Sequence, residues 1–198
     1  MAGKMNIVAV LGSPRLKGNS SFIAGRFLRT AKALGAATRT FELNKLSYRG
    51  CQACEACKKK AGMCSLEDGL KPALEAVREA DVLLLASTIY YGDLSSQLKG
   101  FIDRTYGFFT PGFRANGHKS RLPSGKTLVF VLTQGASPKH FEGVFERYAG
   151  MLKYHGFTRS FLIRACELVG PRDARSHKEL LKLADKAATE IISSRRKG

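Results

Sequence analysis

The sequence lacks any apolar run that approaches the roughly 18 residues of a membrane span. It also lacks a signal-peptide pattern, because residues 1–11 combine a charge with only a short apolar run and carry no small-residue cleavage motif. No linker, repeat or low-complexity segment divides its 198 residues. We therefore expect one domain over residues 1–198, located in the cytoplasm, where thiols stay reduced and disulfides are rare.

Acidic residues are scarce: the chain has 33 Lys and Arg but only 16 Asp and Glu, which gives a formal net charge of +17. From Arg104 to Phe141 there is no acidic residue at all, and Lys58, Lys59 and Lys60 form a second basic cluster. Such a charge distribution is compatible with binding of nucleic acid, of an acidic protein partner or of an anionic ligand, or with a basic surface that only keeps the protein soluble. The chain lacks aromatic–basic interleaving and any recognisable nucleic-acid-binding motif, which argues against a nucleic-acid-binding module.

Five short segments predict β-strands. Those at 6–11, 81–87 and 126–133 are apolar at consecutive positions, which is typical of strands that are covered on both faces of a parallel sheet. Those at 36–43 and 158–166 are more polar and predict strands nearer the sheet edges.

Helical patterns separate the predicted strands. They begin after Asn19 and also cover 69–79, 95–109 and 139–155, and SHKE at 176–179 predicts a capping box before the last helix. The alternation predicts a doubly wound α/β fold with helices on both faces and a five-stranded parallel sheet in the flavodoxin-like order 2-1-3-4-5. Ligands of such folds bind beyond the carboxyl ends of the strands.

The loop after the first predicted strand, LGSPRLKGNSSF at 11–22, matches neither the G-x-G-x-x-G fingerprint nor the P-loop, which argues against NTP hydrolysis. It opens a helix, and the backbone N–H groups there can bind an anion. Ordinary N-capping by a side chain is the alternative. The polar side chains predict a site for a terminal phosphomonoester formed by Ser13, Arg15, Asn19, Ser20 and Ser21.

The loop after the third predicted strand begins the segment STIYYGDLSSQLKGFIDR at 87–104. Two tyrosines and a glycine follow the strand, and at this edge of the sheet they suit a flat heteroaromatic ring. Packing of the loop by the two tyrosines is the alternative. The segment TQG at 133–135 ends the fourth predicted strand and would wall the same crevice.

Four of the five cysteines occur within CQACEACKKKAGMC at 51–64, inside a segment spanning 48–66. The spacing C-x2-C-x2-C-x6-C favours a [4Fe–4S] cluster bound by Cys51, Cys54, Cys57 and Cys64. Zinc usually takes two separated pairs of ligands, so it is the less typical metal, and thiols without metal are the third alternative. Gly62 would let the chain turn back to close the site, and the three lysines would offset the negative charge of a cluster. The fifth cysteine, Cys166, is predicted to be a buried apolar residue.

These motifs resemble the NADPH-dependent FMN reductase superfamily, and within it the iron–sulfur flavoprotein subgroup, over about residues 6–135. The resemblance implies that the first loop binds the FMN phosphate. It also implies a flavodoxin-like homodimer or homotetramer, with the cluster near a subunit interface. A proline that is usual in the family is Thr88 here, which implies a small change at the ring edge. The residues implied to contact the flavin are Thr88, Ile89, Tyr90, Tyr91 and Gly92, and Thr133 and Gly135 of the TQG segment would wall the same crevice.

The sequence thus predicts an FMN-dependent oxidoreductase that passes electrons between a [4Fe–4S] cluster and FMN. No general base or nucleophile is evident or required. An acidic carrier such as ferredoxin could dock on the basic surface, and NAD(P)H is a candidate donor although no motif for it is recognisable. The alternative is an NAD(P)H-dependent FMN or quinone reductase of the same fold without a cluster.

Overall fold

The computed structural model describes residues 4–59, 62–115, 117 and 119–195. Lys60, one of the three lysines predicted to offset a cluster's charge, lies outside them. The strands are β1 (Asn6–Leu11), β2 (Ala37–Glu42), β3 (Val82–Tyr90), β4 (Asp93–Leu94), β5 (Lys126–Thr133) and β6 (Phe157–Ala165). The α-helices are α1 (Asn19–Ala33), α2 (Ala56–Lys59), α3 (Lys71–Glu79), α4 (Ser96–Arg104), α5 (Val144–Lys153) and α6 (Lys178–Arg195).

The five long strands are parallel and lie in the order β2-β1-β3-β5-β6, which confirms the predicted order and fold class. The short strand β4 was not predicted and pairs antiparallel with the end of β3. The two residues between them, Tyr91 and Gly92, have positive φ values of 48° and 78°. A two-residue turn with both φ values positive is the hairpin connection that matches strand twist.

The core lies on both faces of the sheet, as the consecutive apolar runs predict. Val8 and Val10 of β1 pack into the cluster that includes α3, α4 and α5. Ile7 and Ala9 point to the other face and pack with α1 and α6. Every residue of β5 is buried, so this strand sits at the centre of both layers. Within the described residues, no helix combines the length and apolarity that crossing a membrane requires.

Two helix boundaries differ from the prediction. The helix predicted at 95–109 ends as an α-helix at Arg104 and continues as a 3₁₀ turn over Thr105–Phe108. The helix predicted from 139 begins at Val144, because the preceding loop is held in turns by the buried Gln134. The amide of Gln134 donates to the carbonyls of Ala136, Ser137 and His140, and these bonds compete with helix formation.

The predicted capping box is wrong. Helix α6 begins at Lys178, and the hydroxyl of Ser176 donates to the carbonyl of Asp173 instead of capping the helix. Glu179 pairs with Lys182 at 2.8 Å. The predicted apolar face of α6 is confirmed, with Ala184 and Ile191 both buried.

Cys166 also differs from the prediction. It lies one residue beyond β6 and is half-buried, because β6 ends at Ala165 and the chain turns toward the surface.

Candidate functional site

The loop after β1 is fixed against the start of α4. The N–H of Gly12 donates to the carbonyl of Ala86 at 2.8 Å, and its own carbonyl accepts from the Ser95 hydroxyl at 2.7 Å. A side chain at Gly12 would bring a Cβ to 2.5 Å from the Cβ of Leu98, so only glycine fits. The Ser95 oxygen also accepts from the Leu98 N–H and thereby caps α4. One buried serine thus joins this loop to the helix that leads away from it.

Three of the predicted phosphate ligands are serines at the start of α1 or just before it. Ser13 is buried, and its hydroxyl both accepts from the Arg15 N–H and donates to the Arg15 carbonyl, which shapes the turn. Ser20 is buried with no hydrogen-bond partner for its Oγ among the described residues. Ser21 is half-buried and Arg15 is exposed. The loop therefore brings these residues to a helix start, where unpaired backbone N–H groups favour an anion.

Asn19 has a structural role that the sequence does not reveal. Its amide donates to the carbonyl of Gly170 at 2.8 Å, and its oxygen accepts from the N–H of Ala174 at 3.1 Å. These bonds tie α1 to the loop after β6 and occupy the side chain, so a contact of Asn19 with phosphate would come from its backbone N–H. The N-cap of α1 is Gly18, and neither Asn19 nor Ser20 caps the helix.

The predicted flavin-contacting residues lie at the carboxyl ends of β3 and β5. Thr88 and Thr133 are partners in the strand register, and the Thr133 hydroxyl donates to the Thr88 oxygen at 3.3 Å. The side chain of Ile89 packs in the core. Tyr90 is partly exposed, and Tyr91 is fully exposed at the tip of the hairpin.

The wall after β5 is held by Gln134, which lies in the predicted TQG segment but was not singled out as a site residue. Gly135 is exposed, whereas the preceding Gln134 is only 1% exposed. Arg164 of β6 donates to the Gln134 oxygen at 3.2 Å and to the carbonyl of His140. The sequence signal that could have identified Gln134 is its position as a polar residue directly after a fully buried strand.

The four clustered cysteines line one cavity of about 190 Å³, together with Arg104 and Tyr106. Cys57 is buried, Cys64 is half-buried, and Cys51 and Cys54 are exposed. Within the part of the chain that the structure describes, no three His, Cys, Asp or Glu side chains are placed to hold a single metal ion. The four cysteines therefore line a common cavity, and no three of them converge on one point.

The thiols in this cavity influence one another electrostatically. Burial raises the pKa of Cys57, the charge of Lys58 acts against it, and the negative charges of the other three thiolates raise it further. The pKa of Cys54 is lowered by hydrogen bonds from the Ala56 N–H and from Ser65. A group of thiols that repel one another as thiolates gains most from a positively charged ligand.

The backbone of the cysteine segment is folded tightly. Gly62 has a φ of 61°, which confirms the expected turn, and Ala53 and Glu55 also have positive φ values. Gly107 lies so close to the segment that an added Cβ would stand 2.7 Å from the backbone nitrogen of Cys64. Non-glycine residues in this conformation are uncommon and often mark a functional site.

Lys58 anchors the segment as well as bearing charge. Its Nζ donates to the carbonyls of Tyr106 and Phe109 and lies 4.0 Å from the centre of the Tyr106 ring. Burial lowers its pKa, whereas the negative charge of Cys57 acts in the opposite direction. Lys59 is exposed.

The phosphate loop and the cysteine cavity lie at opposite ends of α4. Ser95, before the first residue of the helix, contacts the loop after β1, and Arg104, its last residue, lines the cysteine cavity. With a rise of about 1.5 Å per residue, nine residues separate these ends by about 13 Å.

A larger groove of about 730 Å³ adjoins the cysteine cavity and shares Cys51, Tyr106 and Arg114 with it. His155 lines this groove and is only 4% exposed, and its ring centre lies 4.1 Å from that of Phe109 with the two rings tilted by 43°. Burial, and then the charge of Lys58, lowers the pKa of His155 to about 4. The imidazole is therefore neutral at pH 7.

We expect acid to destabilise the protein through His155. Its folded pKa of about 4 lies below the ordinary 6.5, so the unfolded chain binds the proton first as the pH falls. The free energy of unfolding should drop by about 3 kcal/mol between those two pH values. Denaturant titrations across this range measure the drop. His155→Phe should remove this component, and an equal drop in that variant would contradict the assignment.

The parallel sheet with a helix-opening polar loop at its carboxyl edge defines a flavodoxin-like α/β protein. The model of the family described as NADPH-dependent FMN reductase matches residues 5–144. The chain therefore belongs to this family of FMN-dependent oxidoreductases, which confirms the resemblance inferred from the motifs.

Curated relatives that match are iron–sulfur flavoproteins. One from Archaeoglobus fulgidus is 33% identical over 145 residues, covering 72% of this chain and 61% of that protein. One from Methanocaldococcus jannaschii is 32% identical over 101 residues, covering 51% of this chain and 52% of that protein. The chain thus spans about half the length of several curated relatives that it matches.

Solved structures with low sequence identity share the fold. An FMN-dependent NADH-azoreductase from Bacillus anthracis aligns with a TM-score of 0.72 at 14% identity, covering 94% of this chain and 99% of that one. An NAD(P)H:quinone oxidoreductase from Methanothermobacter marburgensis aligns with a TM-score of 0.71 at 16% identity, covering 96% and 98%.

Proposed function

We propose that the protein is an FMN-dependent oxidoreductase that passes electrons between a [4Fe–4S] cluster and FMN. The observation that carries this proposal is the cavity shared by Cys51, Cys54, Cys57 and Cys64. Four thiols around one space suit a group in which several irons each take one thiolate. The iron–sulfur flavoproteins among the relatives support the same assignment.

The residues at the carboxyl edge fit FMN. The start of α1 offers backbone N–H groups, the unpaired Ser20 hydroxyl and the exposed Arg15 guanidinium, which suit a phosphate. The ends of β3 and β5 and the Tyr91 hairpin would flank the flavin ring. When bound, FMN would supply the capacity to exchange two electrons with a substrate and single electrons with a cluster, and the protein's part would be to bind, orient and shield it.

A homodimer or homotetramer fits the separation of the two sites. Within one chain they lie at the two ends of α4, whereas a second copy could place its cysteine cavity nearer to this flavin crevice. Arg114, which lines the cysteine cavity and is exposed, could dock an acidic carrier such as ferredoxin. We also infer that NAD(P)H is a candidate donor and that the protein works in the cytoplasm, where four thiols stay reduced.

Anaerobic purification followed by cofactor analysis tests the proposal. We expect about four irons and four sulfides for each FMN, with broad visible absorbance beyond the flavin bands. Stoichiometric FMN without iron, also after anaerobic reconstitution with iron and sulfide, would falsify the cluster.

A plain NAD(P)H-dependent FMN or quinone reductase is the second candidate. It is favoured by the likeness to reductase folds and by the lack, among the described side chains, of a group placed for a single metal ion. This candidate predicts that variants lacking the cysteines keep full reductase activity.

A further inference from the structure

Arg104 is the most deeply buried charged side chain near the cysteine cavity. Its side chain is fully buried at the last residue of α4 and forms part of the cavity wall. Burial of a guanidinium lowers stability unless its donors are paired. The partners of each donor therefore indicate what Arg104 does at this position.

The two terminal nitrogens of Arg104 join the two ends of the cysteine segment. Nη1 donates to the carbonyl of Arg49 at 2.9 Å, before the first cysteine. Nη2 donates to the carbonyl of Leu66 at 3.2 Å, after the last cysteine. Both nitrogens also donate to the carboxylate of Asp68, at 2.8 and 3.2 Å. Asp68 in turn accepts from the Arg49 N–H at 3.2 Å, so the segment is closed into a loop by one ion pair.

The remaining donor of Arg104, its Nε, takes no part in these bonds. Its Nε is buried and makes no hydrogen bond to any described residue. Burial lowers the pKa of Arg104, but the bonds to Asp68, the negative charges of Cys64 and Asp68, and a weaker polar contact with the Cys64 thiolate outweigh it, so the pKa is raised. The Nε donor thus belongs to a buried cation that lines the cavity and interacts there with the charge of Cys64.

We propose that Arg104 is the positioning residue of the cysteine site, closing the segment with its terminal nitrogens and donating its Nε–H to a sulfur of the cluster. The first part stands on the protein alone, and the second rests on the proposed function. A donor and a positive charge beside the sulfurs favour the reduced, more negative form of a cluster. Arg104 therefore raises the reduction potential as well as holding the ligands in place.

The test compares two variants, Asp68→Asn and the double variant Asp68→Asn with Arg104→Gln. Arg104→Gln alone would leave the Asp68 carboxylate without its partner, so the double variant is the one more able to fold. Asp68→Asn keeps the Nε donor and is the matched control. Unchanged FMN content and circular dichroism show that both variants are folded.

We expect the double variant to lose iron to a chelator at least tenfold faster than the control. The midpoint potential of its cluster, followed by electron paramagnetic resonance, should be lower, by about 59 mV if the hydrogen bond favours the reduced form tenfold. Equal iron loss and an equal potential would overturn the proposal. If both variants unfold, Arg104→Lys, which keeps the charge but not the planar fork, is measured against the wild type in the same way.

A third measurement separates this inference from the proposed function. In cluster-free protein, alkylation of the buried Cys57 should be at least tenfold faster in the double variant than in the control, as followed by mass spectrometry. If the wild type binds no iron, the proposed function fails, and this rate alone decides whether Arg104 closes the segment. An unchanged rate would refute the closure.

Discussion

Cys57→Ala is expected to abolish iron binding while one FMN stays bound to each protomer. Cys57 is the buried member of the four thiols, and the remaining three cannot complete a four-thiolate set. The flavin site of the variant should be unaffected, because α4 separates the flavin crevice from the cysteine cavity. The truncation itself removes little apolar area from the core, so the free energy of unfolding without cluster should fall by only about 1 kcal/mol. Iron, sulfide and flavin analysis after anaerobic reconstitution measures the result.

Cys166→Ala is the matched control for this experiment. It removes a half-buried thiol beyond β6, outside the cysteine cavity, so its iron content should equal that of the wild type. Wild-type iron in Cys57→Ala would remove this residue from the ligand set. Zinc in place of iron in anaerobically prepared wild type would count against the cluster and revive the rival metal.

The strands were predictable because their pattern has one physical cause. β1, β3 and β5 are covered by helices on both faces, so both faces of each strand need apolar side chains and the apolar residues are consecutive. The prediction fails where local hairpin pairing or hydrogen bonds from a side chain to nearby backbone decide the structure. Pairing with β4 in the hairpin extends β3 to Tyr90. The Gln134 amide fixes the loop after β5, whose sequence pattern predicts a helix.

The candidate sites were predictable as residue types but not as geometry. The spacing of the cysteines indicates four ligands, and the structure places all four around one cavity. Arg104 carries no such signal, because its partners Arg49 and Asp68 lie 55 and 36 residues away. Asn19 illustrates the reverse case, since it matches the phosphate motif although its side chain bonds 151 residues away to Gly170. Only the folded topology brings these groups together.

Ser20→Ala is expected to weaken FMN binding while leaving the apoprotein as stable or more stable. The Ser20 hydroxyl is buried and has no hydrogen-bond partner in the described part of the chain. Removing an unsatisfied buried hydroxyl relieves a desolvation cost, so the free energy of unfolding of the apoprotein should rise by up to about 1–2 kcal/mol. If this hydroxyl donates to the FMN phosphate, its loss should weaken FMN about 10- to 100-fold, as for other hydrogen bonds to charged groups.

Riboflavin separates a phosphate contact from a general loss of structure. It lacks the phosphate, so its affinity for the apoprotein should be the same in Ser20→Ala and in the wild type. Ser160→Ala, an exposed serine on the edge strand β6, should change neither ligand's affinity. Fluorescence titrations of apoprotein with each flavin provide the affinities. Equal weakening of FMN and riboflavin, or unchanged FMN binding, would show that Ser20 does not contact the phosphate, because only a contact with that group can distinguish the two flavins.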